Sequence, residues 1–387
     1  MNFDVVIVGA GIVGAACAYH AVRAGLSVCV VDRGPLAGGT TGAGEGNLLV
    51  SDKEPGPELD LALLSNELWR AMAGVPVGGA TFGARAELDP KGGLVVAASD
   101  TTLTALAGLA AHQAAAGVTA EPVTADGLRD HEPNIAAGLA GGFRYPQDMQ
   151  VQPMLATALL LRLVRDAGAT TLFGEPVTEF LRAGDRVTGV RTPRHTLAAG
   201  AVVNCAGTWA GAVAELAGAP VPVAPRRGFI LVTEPLPRVV RHKVYFADYV
   251  ADVASDDAGL QASPVVEGTA SGTVLIGATR ERVGFDRTWS PEAIRRLAAA
   301  AVRLFPFLAG VVALRAYRGF RPYCPDHLPI IGPDPRAPGL WHACGHEGAG
   351  IGLSAATGRL IAQSLRGEPA DLPLHPFRPE RFAEVPA

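Results

Sequence analysis

Two glycine-rich stretches carry the chemistry of this chain. The first, Gly9-x-Gly11-x-x-Gly14, follows a valine-rich run, and 18 residues after Gly14 stands Asp32. In such a turn the first glycine permits the tight bend and the second lets backbone approach a pyrophosphate. The third lets a helix pack closely, and the acid at the end of the next strand binds ribose hydroxyls. That pattern is dinucleotide binding, and it leaves NAD and FAD equally open because both share the adenosine diphosphate half. Thr40 and Thr41 stand in the loop after the acid, where hydroxyls reach a pyrophosphate or ribityl chain, or form a plain solvent-exposed turn. The second stretch, GHEGAGIGLSAATG over residues 345–358, runs a glycine loop into a helix. Gly345, Gly348, Gly350 and Gly352 let backbone lie against a planar ring, and the helix start directs its unbonded amides and positive dipole end there. A reduced flavin, negative near N1 and the C2 carbonyl, suits that place. A glycine-rich helix start that serves packing alone is the plainer alternative.

The elements that must hold these loops are legible from hydrophobic pattern. Phe3 to Val8 is a continuous apolar strand, Ile12 to Ala24 an alanine-rich helix ended by Gly25, and Ser27 to Val31 a second strand closing on Asp32, which together make a βαβ start. Residues 34–47 form a loop. Helices are expected near 58–73, 102–116, 154–167 and 291–305, with a last one over 351–365. A hairpin is expected around Pro90 to Gly93, and VVNCAG (202–207) is expected to return to the first sheet. Strand-like pieces such as GFILVTEP and GTVLIGATRE dominate from Arg226 onward, and Arg226 and Arg227 read as a solvated pair. Val250 to Ser263 reads as a mobile loop near the pocket. The fold class expected is α/β (α+β mixed): a discontinuous Rossmann-like unit (1–50, 145–217 and 322–387) interleaved with a substrate unit on a large antiparallel sheet (51–144 and 218–321).

Composition narrows the function classes. With 387 residues, 49% of them hydrophobic and 18% charged, the chain is an ordinary globular protein. Lys plus Arg total 33 against 37 Asp plus Glu, so no electrostatic footprint for nucleic acid exists. The five cysteines are scattered without a C-x-x-C pair or clustering with histidine, which argues against a metal site and for reduced thiols in the cytoplasm. Asp4 and the three glycines interrupt the apolar opening, so it reads as strand and helix rather than a signal peptide or transmembrane segment. Peripheral membrane contact stays open.

Taken together, VVIVGAGIVGAACAYHAVRAGLSVCVVDR, GTTGAGEGN, VVNCAGTWA, RGFILVTEP, RGFRPYCPDHLPIIGP and GHEGAGIGLSAATGRLIA resemble the D-amino-acid oxidase superfamily of FAD-dependent oxidoreductases, which includes glycine and sarcosine oxidases. The wording is similar to that of beta subunits of opine oxidase, D-hydroxyproline dehydrogenase and hydrogen cyanide synthase. The resemblance implies FAD, with Gly9, Gly11, Gly14, Asp32, Thr40 and Thr41 on its adenosine and pyrophosphate, and Val177 on adenine. Ala206, Gly207 and Trp209 lie beside the cofactor, Gly345 to Leu353 (including Ile351) wrap the flavin ring, and Ile12, Arg33 and Gly46 are neighbouring contacts. It places Gly319 where monomeric sarcosine oxidase has its flavin-linking cysteine, which implies noncovalent FAD. Arg321 matches the arginine that grips the substrate carboxylate, a role suited to a bidentate fork. Glu45, Asn47 and His346 fall in the two loops flanking the ring, where each could shape the pocket or take a proton from the substrate ammonium; a solvated or capping role is the alternative. The implied reaction oxidises a small amino or imino acid at its C–N bond by hydride transfer from the α-carbon to flavin N5, giving an imine that hydrolyses to an oxo acid. Electrons pass to oxygen or to a partner redox subunit in a hetero-oligomer. Two other readings stand beside it: an NAD-dependent dehydrogenase, and a flavin-binding electron-transfer subunit without turnover of its own.

Overall fold

The computed structural model describes residues 1–253 and 257–382. Its first sheet is built on β1 (Asn2–Val8), followed by the helix α1 (Ile12–Arg23) and β2 (Val28–Asp32). Val5, Val6 and Ile7 are at most 1% exposed, because strand 28–32 flanks β1 on one side, strand 196–204 on the other, both parallel to it, and helices cover the faces. Strand 170–173 extends the sheet beyond β2. Strand 340–344 runs parallel to the later half of 196–204, while 186–191 and 179–183 continue from its earlier half as an antiparallel hairpin. The last helix, Gly350–Arg366, crosses α1 at close range: a Cβ on Gly358 would stand 2.5 Å from the Ala16 carbonyl carbon. Two small-residue faces therefore bring both glycine loops to the same end of the parallel strands.

The second sheet has eight strands in the order 313–323, 224–233, 274–280, 261–268, 243–246, 93–97, 141–145 and 121–124. All its pairings are antiparallel except 243–246 with 93–97. Helix Pro291–Leu304, whose first turn is capped where Ser290 Oγ accepts from Ala293 N at 3.1 Å, lays Leu297, Ala301 and Leu304 on Leu231, Val266 and Ile276. The fold is mixed α/β, a Rossmann-like sheet joined to a large, almost wholly antiparallel one. Among the described residues no helix is long and apolar enough to cross a membrane.

Three expectations need correction. The hairpin around Pro90 to Gly93 does not form: Gly93–Ala97 pairs with 141–145 and 243–246, and Asp89 makes only an isolated bridge to Gln150. Strand partners distant in sequence bury Val95 and Val96 completely, which a two-strand hairpin cannot do. The expected loop over 250–263 begins within helix Asp248–Val253 and ends within strand Gln261–Gly268, and 254–256 lie outside the described residues. Arg226 and Arg227 are not solvated but 1% and 5% exposed, paired with Glu347 and with Glu281 and Asp286 respectively.

Candidate functional site

Both glycine loops line one elongated cavity of about 470 Å³. Gly9 adopts φ +119° with the Cys205 carbonyl where a Cβ would be, so no side chain fits. Asp32 accepts hydrogen bonds from Ala10 N and Gly34 N, each at 2.7 Å, which shapes the turn and leaves lone pairs of the carboxylate unused. The adjacent threonines differ. Thr40 and Thr208 both donate to the Phe320 carbonyl, at 2.7 and 2.9 Å. Thr41 Oγ1 accepts from Ile12 N at 3.0 Å at the start of α1, so its own proton stays available to the cavity. Arg33, Gly46, Val177, Ala206, Gly207 and Trp209 line the same space, with the Arg33 guanidinium 3.8 Å from the Trp209 ring centre.

A second cavity, of about 560 Å³, meets the first at Asn47, Arg321, His346, Glu347 and Gly348, which line both. Gly350, Ile351 and Glu45 face the first, and Gly352 and Leu353 the second. Gly14 and Gly345 line neither. Gly14 packs α1 on the Gly9 carbonyl, and Gly345, at φ +74°, turns the chain beside Cys324.

Arg321 is half-buried near the end of strand 313–323, and its Nη1 donates to Thr279 O at 2.9 Å. Burial, and then the nearby charge of Arg280, lower its pKa to about 10, so it remains cationic at neutral pH. Arg318, on the other face of that strand, lies 5.2 Å from the Trp289 ring centre. Glu45 is buried and its Oε1 has no hydrogen-bond partner. Burial raises its pKa against the pull of the Lys243, Arg321 and Arg280 charges. His346 is 4% exposed, and burial lowers its pKa to about 3. The Thr357 hydroxyl donates to Leu353 O at 2.9 Å, so His346 Nε2 is the donor in its 3.0 Å bond to Thr357. A neutral imidazole of fixed tautomer is the result.

Sequence reasoning missed Glu347 as an anchor. Its carboxylate meets Arg226 Nη1 at 2.5 Å and His327 Nδ1 at 2.8 Å, and its amide donates to Pro322 O at 3.0 Å. It also missed Arg280, Tyr249 and Lys53, all lining the second cavity. The signal for Arg280 was a cation ending the apolar strand GTVLIGATR.

Residues 4–364 match the family described as FAD dependent oxidoreductase, DAO. The chain belongs to that family. This DAO-family chain is 31% identical to hydrogen cyanide synthase subunit HcnC of Pseudomonas aeruginosa, over all of this chain and 98% of that protein. It is 30% identical to glycine oxidase of the same species, over 98% of this chain and 99% of the relative. Among solved structures, glycine oxidase from Geobacillus kaustophilus superposes with a TM-score of 0.86 at 26% identity, covering 98% of this chain and 99% of that one. L-proline dehydrogenase from P. horikoshii, at 22% identity, shares the fold with a TM-score of 0.87.

The protein is therefore a FAD-dependent oxidoreductase, and its cleft fits that cofactor. It offers a turn where Gly9 excludes any side chain, a hydroxyl donor at the start of α1, a partly engaged carboxylate beside them, and a glycine loop at the junction of the two cavities. Such groups suit the pyrophosphate, the adenosine ribose and the flat ring of that cofactor.

Proposed function

We propose that this FAD-dependent oxidoreductase oxidises a small amino or imino acid at its C–N bond, and that Arg321 holds the substrate carboxylate. FAD, when bound, supplies the two-electron acceptor for the hydrogen leaving the α-carbon. In this reading Gly9, Gly11 and the start of α1 hold the pyrophosphate, Asp32 the ribose, and residues 345–353 the ring. Segments 1–50, 145–217 and 322–387 form the cofactor-binding unit, and 51–144 with 218–321 the substrate unit. The FAD is held without a covalent link. Burial pushes the thiols of Cys205 and Cys344, which line the cleft, upward, Cys344 to about 12, so neither is a nucleophilic thiolate. A Cβ at Gly319 would stand 2.5 Å from the Ala43 Cβ.

The observation that carries the proposal is the placement of Arg321, facing both cavities with one N–H spent on Thr279 and the rest of its fork available. A carboxylate bound there sets the adjoining carbon at the boundary of the two cavities. The amine must lose a proton before its lone pair can drive the oxidation. His346, whose basicity burial lowers, is a poor base, and so is Glu45, pushed toward its neutral form by burial, until an adjacent cation restores its charge. A substrate that binds as the free amine needs neither. Similarity to a protein named glycine oxidase over nearly the full chain supports an amine substrate. Similarity to a protein named as a subunit supports a partner as electron acceptor beside oxygen.

The test is anaerobic titration of the flavin absorbance with glycine, sarcosine, proline isomers and D-amino acids, for the wild type and Arg321→Met. The loss of a charged anchor costs about 2 to 5 kcal/mol, so half-saturation should rise at least roughly 30-fold. Unchanged turnover in the variant would instead favour an electron-transfer subunit. Readmitting air separates an oxidase, which recovers its colour promptly, from a dehydrogenase that needs a partner.

A further inference from the structure

We infer that Arg280 forms a second anion subsite in the 560 Å³ cavity, so that the preferred substrate is an amine carrying two carboxylates rather than one. The inference rests on the reading of Arg321 as the grip on the first carboxylate. Arg280 ends the strand Val274–Arg280 and is 4% exposed. It lines the second cavity and not the first, whereas Arg321 lines both. The two guanidinium groups therefore stand in sequence, one at the boundary with the cofactor cleft and one farther into the substrate space.

Among the described residues, Arg280 Nη1 is buried without a hydrogen-bond partner, and the contact that steadies the side chain is the Tyr249 ring, 4.9 Å from its guanidinium carbon. Other cations nearby are matched. Lys53 meets Asp52 at 3.0 Å and Glu58 at 3.4 Å, and Arg226 meets Glu347. The remaining carboxylates of the wall are similarly engaged or point outward: Asp326 pairs with Arg381, and Glu54 and Asp248 are exposed. Glu45 lies within electrostatic reach of both arginines but faces the cofactor cleft, and burial drives it toward the neutral acid. A buried guanidinium with an unsatisfied N–H is costly, and a second one beside it adds repulsion, felt in the lowered pKa of Arg321. One carboxylate fills one fork bidentately. Two forks call for two carboxylates, placed either on the side chain of an amino acid or on the substituent of a secondary amine.

The test uses the FAD-loaded protein and calorimetric binding of carboxylates that cannot be oxidised, acetate against succinate. A charge-assisted hydrogen bond contributes about 1.5 to 3 kcal/mol, so succinate should bind the wild type at least roughly 10-fold more tightly than acetate. Arg280→Met should remove that preference and leave acetate within about threefold, since acetate uses Arg321. Arg280→Lys should retain part of it, and it carries the test if the methionine variant does not fold. Equal weakening of acetate and succinate in either variant would mean a shared grip on one carboxylate and would overturn the inference, as would a wild type without preference. Arg321→Met run alongside separates the two readings. If it leaves acetate binding intact, the proposed grip fails, whatever Arg280 does. Turnover of iminodiacetate against sarcosine, and of D-aspartate against D-alanine, then identifies where the second carboxylate sits; failure of both two-carboxylate compounds to exceed their counterparts refutes the assignment.

Discussion

Arg226→Met removes the buried partner of an ion pair whose carboxylate lines both cavities. Arg226 is 1% exposed, and besides Glu347 at 2.5 Å its Nη2 donates to Gln261 Oε1 at 3.2 Å. Breaking a buried pair from one side costs about 3 to 5 kcal/mol, because the remaining charge is stranded. Here Glu347 keeps His327 at 2.8 Å and its side chain is 11% exposed, so the lower end, about 3 kcal/mol, is expected. Arg226→Met/Glu347→Gln should recover part of that loss, giving a coupling of more than about 1 kcal/mol in a double-mutant cycle read by urea unfolding. The pH dependence follows from the same contacts. Burial works to raise the Glu347 pKa, but the His327 hydrogen bond and the Arg226 charge outweigh it and hold it low. A carboxylate with a depressed folded pKa contributes stability that is fully present above its unfolded value of about 4.3 and lost as pH falls through the folded value. That acid-side loss should shrink in Arg226→Met. A single variant within about 0.5 kcal/mol of the wild type, as for a solvated arginine, or a cycle without coupling, would refute the reasoning.

Thr41→Val removes the acceptor for Ile12 N and should destabilise the protein by about 1 kcal/mol while speeding FAD loss on dilution, followed by flavin fluorescence. Asp148, whose pKa burial pushes up to about 7, is protonated in the fold at pH values where the unfolded chain is ionised. Its contribution to stability therefore falls as pH rises from about 4 to 7, and Asp148→Asn should flatten that slope in urea unfolding across this range. His346→Gln should leave the position of any ionisation in the kcat/KM profile between pH 5 and 9 unchanged, because the imidazole is neutral throughout. A limb that vanishes in this variant would identify His346 as the base.

What the sequence made legible is local. The valine run of β1, the three glycines and the helix start are consecutive, and their packing logic is written in their own spacing. The site depends instead on distant pairs. Arg226 looks like half of an exposed basic dipeptide until Glu347, 121 residues away, is placed against it. Thr40 and Thr41 are the same residue type side by side, yet one is tied to Phe320 and the other to Ile12; only the fold separates them. Pro90 to Gly93 carry hairpin signals, but the strand that begins at Gly93 is claimed by partners near 143 and 245, a case of tertiary pairing overriding local turn chemistry.

The position of Glu347 explains how two arginines can stand side by side next to the junction of the two cavities. Arg226 and Arg321 are direct partners in the antiparallel ladder between strands 224–233 and 313–323, and cross-strand partners share a face of the sheet, where like charges destabilise the pair. The final glycine loop brings a carboxylate to that face, its backbone pinned to Pro322 beside Arg321 and its side chain bonded to Arg226. Arg226 is thereby neutralised within the protein, while Arg321, among the described residues, meets a backbone carbonyl and no carboxylate partner. The loop that lines the cofactor cleft thus also determines which of two adjacent arginines is structural and which is available to a ligand. Substitution of Glu347 would leave both cations facing one another, so a fault in that loop reaches the proposed substrate grip without touching the substrate.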